Sequence, residues 1–132
     1  MKRFSELGAG VMGKKILIVD DSSSVRTVVK STLTRQGYDV VEADDGANGL
    51  QKAKSDNFDL IISDVNMPNM DGLTMVKEIR KIPNLKFISV CMLTTESEQK
   101  KIAEGKAAGV KAWIVKPFDA NKLMAAVKQL AR

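Results

Sequence analysis

The sequence predicts an α/β fold in which a doubly wound, five-stranded parallel sheet has helices packed on both of its faces. Short apolar runs alternate along the chain with segments whose apolar residues recur at helical spacing. The apolar runs are continuous, which is typical of strands buried on both faces. Strands joined by helical crossovers run parallel, with right-handed connections. With 132 residues, the chain is expected to form one domain.

Residues 1–13 are predicted to be a flexible N-terminal extension of the domain formed by residues 14–132. They show no sustained period and end in the string Gly8 to Gly13, which matches the pattern G-x-G-x-x-G. A dinucleotide site requires a strand before this pattern and a helix after it, whereas here a strand follows. The match is therefore not interpreted as a nucleotide site. The extension also lacks the long apolar core of a secretory signal.

The first half of the domain contains three predicted strands and two predicted helices. They are strand one at 15–19, helix one at 22–36, strand two at 38–43, helix two at 45–54 and strand three at 58–63. In helix one, the residues assigned to the buried face are Val25, Val28, Val29 and Leu33, and Gly37 ends the helix. Asp44 or Asp45 is expected to cap helix two.

The second half contains three predicted helices and two predicted strands. Helix three follows its cap Asp71, buries Leu73, Val76 and Ile79, and ends before Pro83. Strand four is predicted at 86–93 and strand five at 112–115. Between them, residues 95–98 have the form of a capping box and open helix four, which ends near residue 109. The last helix follows its cap Asp119, with Leu123, Val127 and Leu130 facing inward.

Composition and charge favour a cytoplasmic globular protein. No apolar run approaches the ~18 residues that a membrane-spanning helix needs. The one cysteine, Cys91, lies in an apolar run, as a buried reduced thiol would. The net charge of +5 does not indicate nucleic-acid binding, because basic and acidic residues are interleaved and few aromatic residues accompany them. The basic excess after residue 99 forms either a solvated surface or a docking face for an acidic partner. We expect a monomer that binds neither nucleic acid nor membranes.

Polar side chains lie at the carboxyl ends of four predicted strands. Asp20 and Asp21 follow strand one, Asp64 follows strand three, Thr94 follows strand four, and Lys116 continues strand five. Ligands of open parallel sheets bind beyond these ends, so the side chains are expected to share one cleft. Clustered carboxylates without histidine or cysteine suit a hard cation such as Mg²⁺. A carboxylate beside a metal and a lysine suits phosphoryl transfer.

Each of these residues also has a purely structural interpretation. An aspartate after strand one can cap helix one, Thr94 can be an ordinary strand residue, and Lys116 can extend along the apolar strand to solvent. Capping explains one acid but not the adjacent pair Asp20 and Asp21. An acid that ends a buried strand, as Asp64 does, costs several kcal/mol unless it has a partner. We therefore favour the metal site, with the Lys116 ammonium paired to Asp64.

Four sequence blocks occur in order along the chain: Val19 to Ser22, Ile62 to Gly72, Leu93 to Glu96, and Val115 to Phe118. Together they resemble the receiver domain of two-component response regulators, and in particular the single-domain chemotaxis regulators of the CheY type. The resemblance extends over residues 14–131. It implies the flavodoxin-like strand order 2-1-3-4-5, which we take from the family and do not derive from the sequence.

The resemblance implies a role for each acidic residue of the cleft. Asp64 would be the phosphoacceptor and would take a phosphoryl group from a histidine kinase. Asp20, Asp21 and Asp64 would hold Mg²⁺ together with the backbone carbonyl of Asn66. The ion would neutralise charge that develops on the phosphoryl group.

The resemblance also implies residues that contact the phosphoryl group and residues that respond to it. Lys116 and Thr94 would contact the group, and Thr94 and Trp113 would form the switch. The family commonly has tyrosine or phenylalanine where Trp113 stands, and the alternative role for Trp113 is packing alone. Asn66 and Glu96 would tune how easily water reaches the acyl phosphate, and Glu96 also suits a helix N-terminus.

The function implied is chemotactic signalling by a domain that phosphorylates and dephosphorylates itself and is not a turnover enzyme. The implied partners are a sensor histidine kinase of the CheA type, a flagellar motor switch protein that governs flagellar rotation, and a phosphatase. The alternative is a phosphorelay intermediary or a stand-alone receiver that regulates a kinase. A dehalogenase-type phosphatase would need an Asp-x-Asp arrangement at strand one, and a flavin site would need a hydroxyl-rich phosphate loop. The adjacent acids Asp20 and Asp21 argue against both.

Overall fold

Parallel strands and their crossover helices account for most of the computed structural model, which describes residues 13–95 and 100–131. The elements are β1 Lys15–Val19, α1 Ser23–Arg35, β2 Asp39–Ala43, α2 Gly46–Ser55, β3 Leu60–Asp64, α3 Gly72–Arg80, β4 Ser89–Thr94, α4 Ile102–Ala107, β5 Ala112–Val115 and α5 Ala120–Leu130, with a 3-10 turn at Pro83–Leu85. Residues 1–12 of the predicted extension and residues 96–98 of the predicted capping box lie outside the described residues.

The sheet has the order β2-β1-β3-β4-β5, and every neighbouring pair is parallel. The predicted fold class and strand order are therefore confirmed. All five residues of β3 are buried, as expected of the central strand in a sheet covered on both faces. The carboxyl ends of β1, β3, β4 and β5 lie along one edge of the sheet.

Two apolar cores form because successive residues of each buried strand point to opposite faces of the sheet. Helices α1 and α5 cover one face, over a core that includes Ile16, Ile18, Val29, Leu33, Leu60, Ile62, Leu93, Ile114, Leu123 and Val127. Helices α2 and α3 cover the other face, over a core that includes Leu17, Val19, Ala53, Ile61, Leu73, Val76, Ile79, Val90 and Met92. The buried faces predicted for α3 and, at Leu123 and Val127, for α5 are confirmed.

Helix starts follow the capping residues in the sequence. The side chains of Ser22, Asp45, Asp71 and Asp119 each accept a hydrogen bond from a backbone N–H in the first turn of α1, α2, α3 and α5. Such caps satisfy backbone donors that have no partner within the helix. Of the two candidate caps for α2, the structure uses Asp45.

The prediction that Val28 lies on the buried face of α1 is wrong. Its side chain is 56% exposed, whereas Val29 and Leu33 are fully buried. Helical geometry explains the difference, because the stripe through residues 25, 29 and 33 follows the four-residue spacing and residue 28 lies about 100° from its centre. An apolar side chain alone did not identify the buried face.

Strand β4 begins at Ser89, three residues later than predicted. Its neighbour β3 begins at Leu60, which pairs with Ser89, so earlier residues have no strand to pair with. The Ile88 carbonyl accepts a hydrogen bond from Arg80 Nη1 at 2.6 Å, and the Phe87 side chain is 84% exposed. The start of β3 was also predicted too early, because Phe58 precedes the strand and only Leu60 onward joins the sheet.

Cys91 is a free, buried thiol of β4, as predicted. Burial raises the pKa of this thiol to about 12, which keeps it protonated and unreactive.

Among the described residues, no helix combines the length and apolar character that crossing a bilayer requires.

Candidate functional site

The carboxyl ends of β1 and β3 bring three acidic side chains together. Carboxylate oxygens of Asp20, Asp21 and Asp64 all lie within 4.8 Å of one another. Asp20 is fully buried and Asp64 is 8% exposed, whereas Asp21 is exposed to solvent. The predicted acidic cluster is therefore present, and it is open to solvent on the side of Asp21.

Asp20 is fixed by donors on both of its carboxylate oxygens. Its Oδ1 accepts a hydrogen bond from the Ser22 backbone N–H at 2.9 Å, and its Oδ2 accepts one from Lys116 Nζ at 3.0 Å. Its backbone carbonyl accepts a hydrogen bond from Arg26 Nη1 at 2.6 Å. A buried carboxylate needs such partners to offset the loss of water.

Lys116 lies between two acids, as expected, but its nearer partner is Asp20 and not Asp64. Its Nζ is 3.0 Å from Asp20 Oδ2 and 3.4 Å from Asp64 Oδ2. Its backbone N–H donates to the Thr94 carbonyl at 2.7 Å, and the Lys116–Pro117 peptide bond is cis. Burial alone would lower the pKa of Lys116, but the hydrogen bond and charge of Asp20, joined by those of Asp64, raise it. The ammonium therefore stays charged at neutral pH.

Among the described acids, Asp64 has a proton affinity well above that of an ordinary carboxyl. Burial first, and then the negative charge of Asp20, raise the pKa of Asp64 to about 6. The charge of Lys116 and the hydrogen bond from the Val65 backbone N–H to Asp64 Oδ1, 2.8 Å long, oppose this rise. A partly desolvated carboxylate of raised basicity is suited to act as a nucleophile.

The raised pKa of Asp64 predicts a pH-dependent stability in metal-free protein. Because the folded pKa exceeds the value of about 3.9 for an unfolded aspartate, the folded state holds the proton more tightly. Stability should therefore fall as pH rises from about 4 to about 6, by about 2 kcal/mol. The measurement is urea unfolding in a chelator across this range, for wild type and Asp64→Asn. The difference between the two proteins isolates Asp64, and a difference that does not change with pH would contradict the assignment.

Close backbone contacts around the loop after β3 require glycine at two positions, Gly46 and Gly72. A Cβ at Gly72 would lie 2.1 Å from the Asp64 carbonyl oxygen, and one at Gly46 would lie 2.2 Å from the Met70 carbonyl oxygen. The Gly72 N–H also donates to the Val65 carbonyl at 2.8 Å. Asp71 therefore caps α3, and Gly72, which follows it, is small enough to approach the end of β3.

Thr94 and Trp113 occupy neighbouring strands and point to the same face of the sheet. Thr94 is 1% exposed, and its hydroxyl donates to the Thr95 carbonyl at 3.1 Å. Trp113 is half-buried, pairs with Met92 in the sheet, and packs against the core beneath α3. Its Nε1 is buried without a hydrogen-bond partner among the described residues. These positions are compatible with the predicted switch role of Thr94 and Trp113, and that role stays a prediction.

The Trp113 indole lies against Gly105 of α4, a contact the sequence did not suggest. A Cβ at Gly105 would fall 2.3 and 2.4 Å from the indole carbons Cζ2 and Cη2. A side chain at this position would therefore displace the indole.

We expect Gly105→Ala to displace the indole and to destabilise the protein by about 1–2 kcal/mol. Overpacking costs about 1–3 kcal/mol, of which the better helix propensity of alanine returns up to about 1. Trp113 is the only tryptophan of the chain, so its fluorescence should shift to the red. Ala107→Gly, at an exposed position of α4, is the control for changed helix propensity. An unchanged emission spectrum in Gly105→Ala would contradict the contact.

Asn66 and Glu96 are the residues predicted to tune hydrolysis of the acyl phosphate, and the structure describes only Asn66. Glu96 lies outside the described residues. Asn66 is exposed, two residues after Asp64, and its Oδ1 accepts a hydrogen bond from Lys101 Nζ at 2.9 Å. From the sequence alone, Lys101 belongs only to the basic surface after residue 99, because no pattern links it to Asn66.

Comparison with known proteins identifies the family of this chain. Residues 16–128 match the response regulator receiver domain. The chain belongs to this family. A two-component receiver accepts a phosphoryl group, and this chain is accordingly a phospho-accepting regulator.

Several characterised receivers are similar to the chain. Chemotaxis protein CheY-3 of Vibrio cholerae is 44% identical over 110 residues, which are 83% of this chain and 85% of that protein. The chemotaxis response regulator CheY4 of Vibrio cholerae superposes with a TM-score of 0.84 at 46% identity, covering 91% of this chain and 99% of that one. The receiver domain of a Pseudomonas aeruginosa sensor histidine kinase, solved with a magnesium ion coordinated in its active-site cleft, gives a TM-score of 0.83 at 28% identity, covering 90% and 98%.

Proposed function

We propose that Asp64 is the phosphoacceptor of this receiver. The observation that supports the proposal is the geometry around Asp64, which lies beside two acids and within 3.4 Å of the Lys116 ammonium. In the transfer, an Asp64 carboxylate oxygen attacks the phosphorus of a phosphohistidine. The phosphorus–nitrogen bond breaks, and its electron pair returns to the imidazole, which takes up a proton. The products are an aspartyl phosphate and a neutral histidine.

The acidic cluster is proposed to hold Mg²⁺ during this reaction. The donors are carboxylate oxygens of Asp20, Asp21 and Asp64, and the backbone carbonyl of Asn66 would add a fourth. Oxygen-only ligands fit this ion, and the exposure of Asp21 leaves room for the waters that Mg²⁺ retains. The Pseudomonas aeruginosa receiver with a coordinated magnesium ion supports the proposal. When bound, the ion supplies positive charge that offsets the charge developing on the phosphoryl oxygens.

Lys116 and Thr94 are proposed to bind the phosphoryl group once it is attached. The Lys116 ammonium already lies between Asp20 and Asp64, so it can transfer one donor to a phosphoryl oxygen without leaving the cleft. Thr94 ends β4 at the same edge of the sheet and has a hydroxyl donor. Movement of Thr94 toward the phosphate would open space that the Trp113 indole could enter, which is the proposed switch.

The proposed biological role is chemotactic signalling, supported by the similarity to CheY-3 and CheY4. A sensor histidine kinase of the CheA type would supply the phosphoryl group, and small acyl phosphates would also serve as donors. The surface formed by α4, β5 and α5 would then bind a flagellar motor switch protein, and a phosphatase would end the signal. The protein acts as a monomeric switch and not as a turnover enzyme.

The test of the proposed chemistry is phosphoryl uptake from acetyl phosphate, followed by intact mass. Wild type should gain the mass of one phosphoryl group in Mg²⁺ and none in a chelator, whereas Asp64→Asn should gain none in either. Asp39→Asn is the matched control, because Asp39 is exposed at the opposite end of the sheet. Equal uptake by wild type and Asp64→Asn would overturn the proposal.

A phosphorelay or kinase-regulating role is the second candidate. The similarity to a receiver that belongs to a sensor histidine kinase favours it, because receivers of this fold also serve within kinases. Titration of phosphorylated protein with a flagellar switch peptide separates the two roles. Tighter binding after phosphorylation supports the motor role, and equal binding supports the relay.

A further inference from the structure

A lysine at the start of α4 bridges to the loop that follows the acidic cluster. Lys101 immediately precedes α4, and its Nζ is 2.9 Å from Asn66 Oδ1. Asn66 is two residues beyond Asp64, on the loop between β3 and α3. The bridge thus joins two residues that are 35 positions apart in sequence, one of them two positions after the proposed phosphoacceptor.

The chemistry of the two groups fixes how the Asn66 amide is oriented. An ammonium can only donate hydrogen bonds, so the amide atom that faces Lys101 must be the oxygen. The Asn66 NH₂ group, which can only donate, is then directed away from Lys101. The charge of Lys101 also makes this hydrogen bond stronger than one between neutral groups.

We propose that Lys101 is a positioning residue that prolongs the phosphorylated state by holding the Asn66 side-chain oxygen. This inference rests on the proposed function, because it concerns hydrolysis of phosphorylated Asp64. In that hydrolysis, a water oxygen attacks the phosphorus and the bond from phosphorus to the Asp64 oxygen breaks. The electron pair returns to the carboxylate, a water proton goes to solvent, and inorganic phosphate leaves.

An attacking water reacts faster when an acceptor orients it. The Asn66 amide oxygen is such an acceptor, and Lys101 engages it. Without Lys101, the exposed amide is free to rotate and to accept a hydrogen bond from the water. Loss of Lys101 should therefore accelerate hydrolysis, and it should do so only through Asn66.

The experiment is a double-mutant cycle on the rate of phosphoryl loss. Each protein is loaded with acetyl phosphate and Mg²⁺, the donor is removed on a desalting column, and the decay of the phosphorylated mass is followed. The variants are Lys101→Ala, Asn66→Ala, their combination, and Lys101→Arg. Asn66→Ala retains the backbone carbonyl proposed as a metal ligand. Lys100→Ala is the matched control, because Lys100 is an exposed neighbouring lysine.

We expect Lys101→Ala to lose its phosphoryl group at least about threefold faster than wild type, with Lys101→Arg restored toward the wild-type rate. In the Asn66→Ala background, Lys101→Ala should change nothing, since coupled residues are non-additive. An equal acceleration in both backgrounds would overturn the inference, because the effect would then be one of charge alone. An unchanged or slower decay in Lys101→Ala would also overturn it.

The loading step separates failure of this inference from failure of the proposed function. If wild type gains no phosphoryl mass, the proposed function fails and the inference fails with it. If wild type gains the mass and Lys101→Ala decays at the same rate, only the inference fails.

Discussion

Replacing Lys116 by methionine is expected to destabilise the metal-free protein by about 3 kcal/mol at about pH 8. The substitution keeps an unbranched side chain, one atom shorter, and removes its charge. It leaves Asp20, which is fully buried, and Asp64, which is 8% exposed, without the ammonium that lies between them. Removal of one partner from a buried ion pair is costly because the remaining charge has lost its water and no cation offsets it.

The cost of Lys116→Met should depend on both pH and Mg²⁺. At about pH 5 the Asp64 carboxyl, whose pKa is already raised, takes up a proton and the repulsion between Asp64 and Asp20 falls. Added Mg²⁺ should likewise restore part of the stability by supplying a cation. Urea unfolding at both pH values, with and without Mg²⁺, measures these effects. Lys122→Met, at an exposed position of α5, is the control, and an equal loss in both variants would contradict a structural role for the Lys116 charge.

Replacing Asp20 by asparagine is expected to remove most of the stabilisation that Mg²⁺ confers. Asparagine has nearly the same shape, and its amide oxygen can still accept the hydrogen bond from the Ser22 backbone N–H. The change therefore removes one of the three clustered charges at nearly constant volume, but it turns the amide NH₂ group toward Lys116, which then pairs with Asp64 alone. If Mg²⁺ at about 10 mM binds wild type with a dissociation constant of about 1 mM, it adds about 1.4 kcal/mol to the stability. The variant should gain less than about 0.5 kcal/mol.

The same substitution should also lower the pKa of Asp64, because the Asp20 charge is the second largest cause of its elevation. Unfolding in urea with and without Mg²⁺ gives the first effect, and nuclear magnetic resonance titration of the Asp64 carboxyl carbon in metal-free protein gives the second. Asp39→Asn changes one exposed acid outside the cluster and should keep the full response to Mg²⁺. A wild-type response to Mg²⁺ in Asp20→Asn would exclude this cluster as the metal site.

Much of the site could be predicted because parallel strands end at a common edge of the sheet. Asp20 and Asp64 were expected to meet for that reason, and their carboxylates do lie within 4.8 Å. Helix starts were also predictable, since caps such as Asp71 and Asp119 act through residues only three positions away. Local patterns such as these caps are encoded over short spacings, whereas the strand order came from the family resemblance and not from the spacing of residues.

Features that depend on three-dimensional neighbours could not be predicted in the same way. The start of β4 depends on where β3 begins, so the apolar run through Phe87 was misleading. The preference of Lys116 for Asp20 over Asp64 depends on side-chain geometry at the ends of two strands. The bridge from Lys101 to Asn66 joins residues with no shared motif.

The central claim is that one acid of the cluster, Asp64, is the nucleophile and that its neighbours are not. The most direct measurement is to phosphorylate the protein with acetyl phosphate in Mg²⁺, reduce the aspartyl phosphate with borohydride to homoserine, and locate the homoserine by peptide mass spectrometry. We predict homoserine at position 64 alone. Homoserine at position 20 or 21, or an unmodified residue 64 in protein that has gained the phosphoryl mass, would contradict the account.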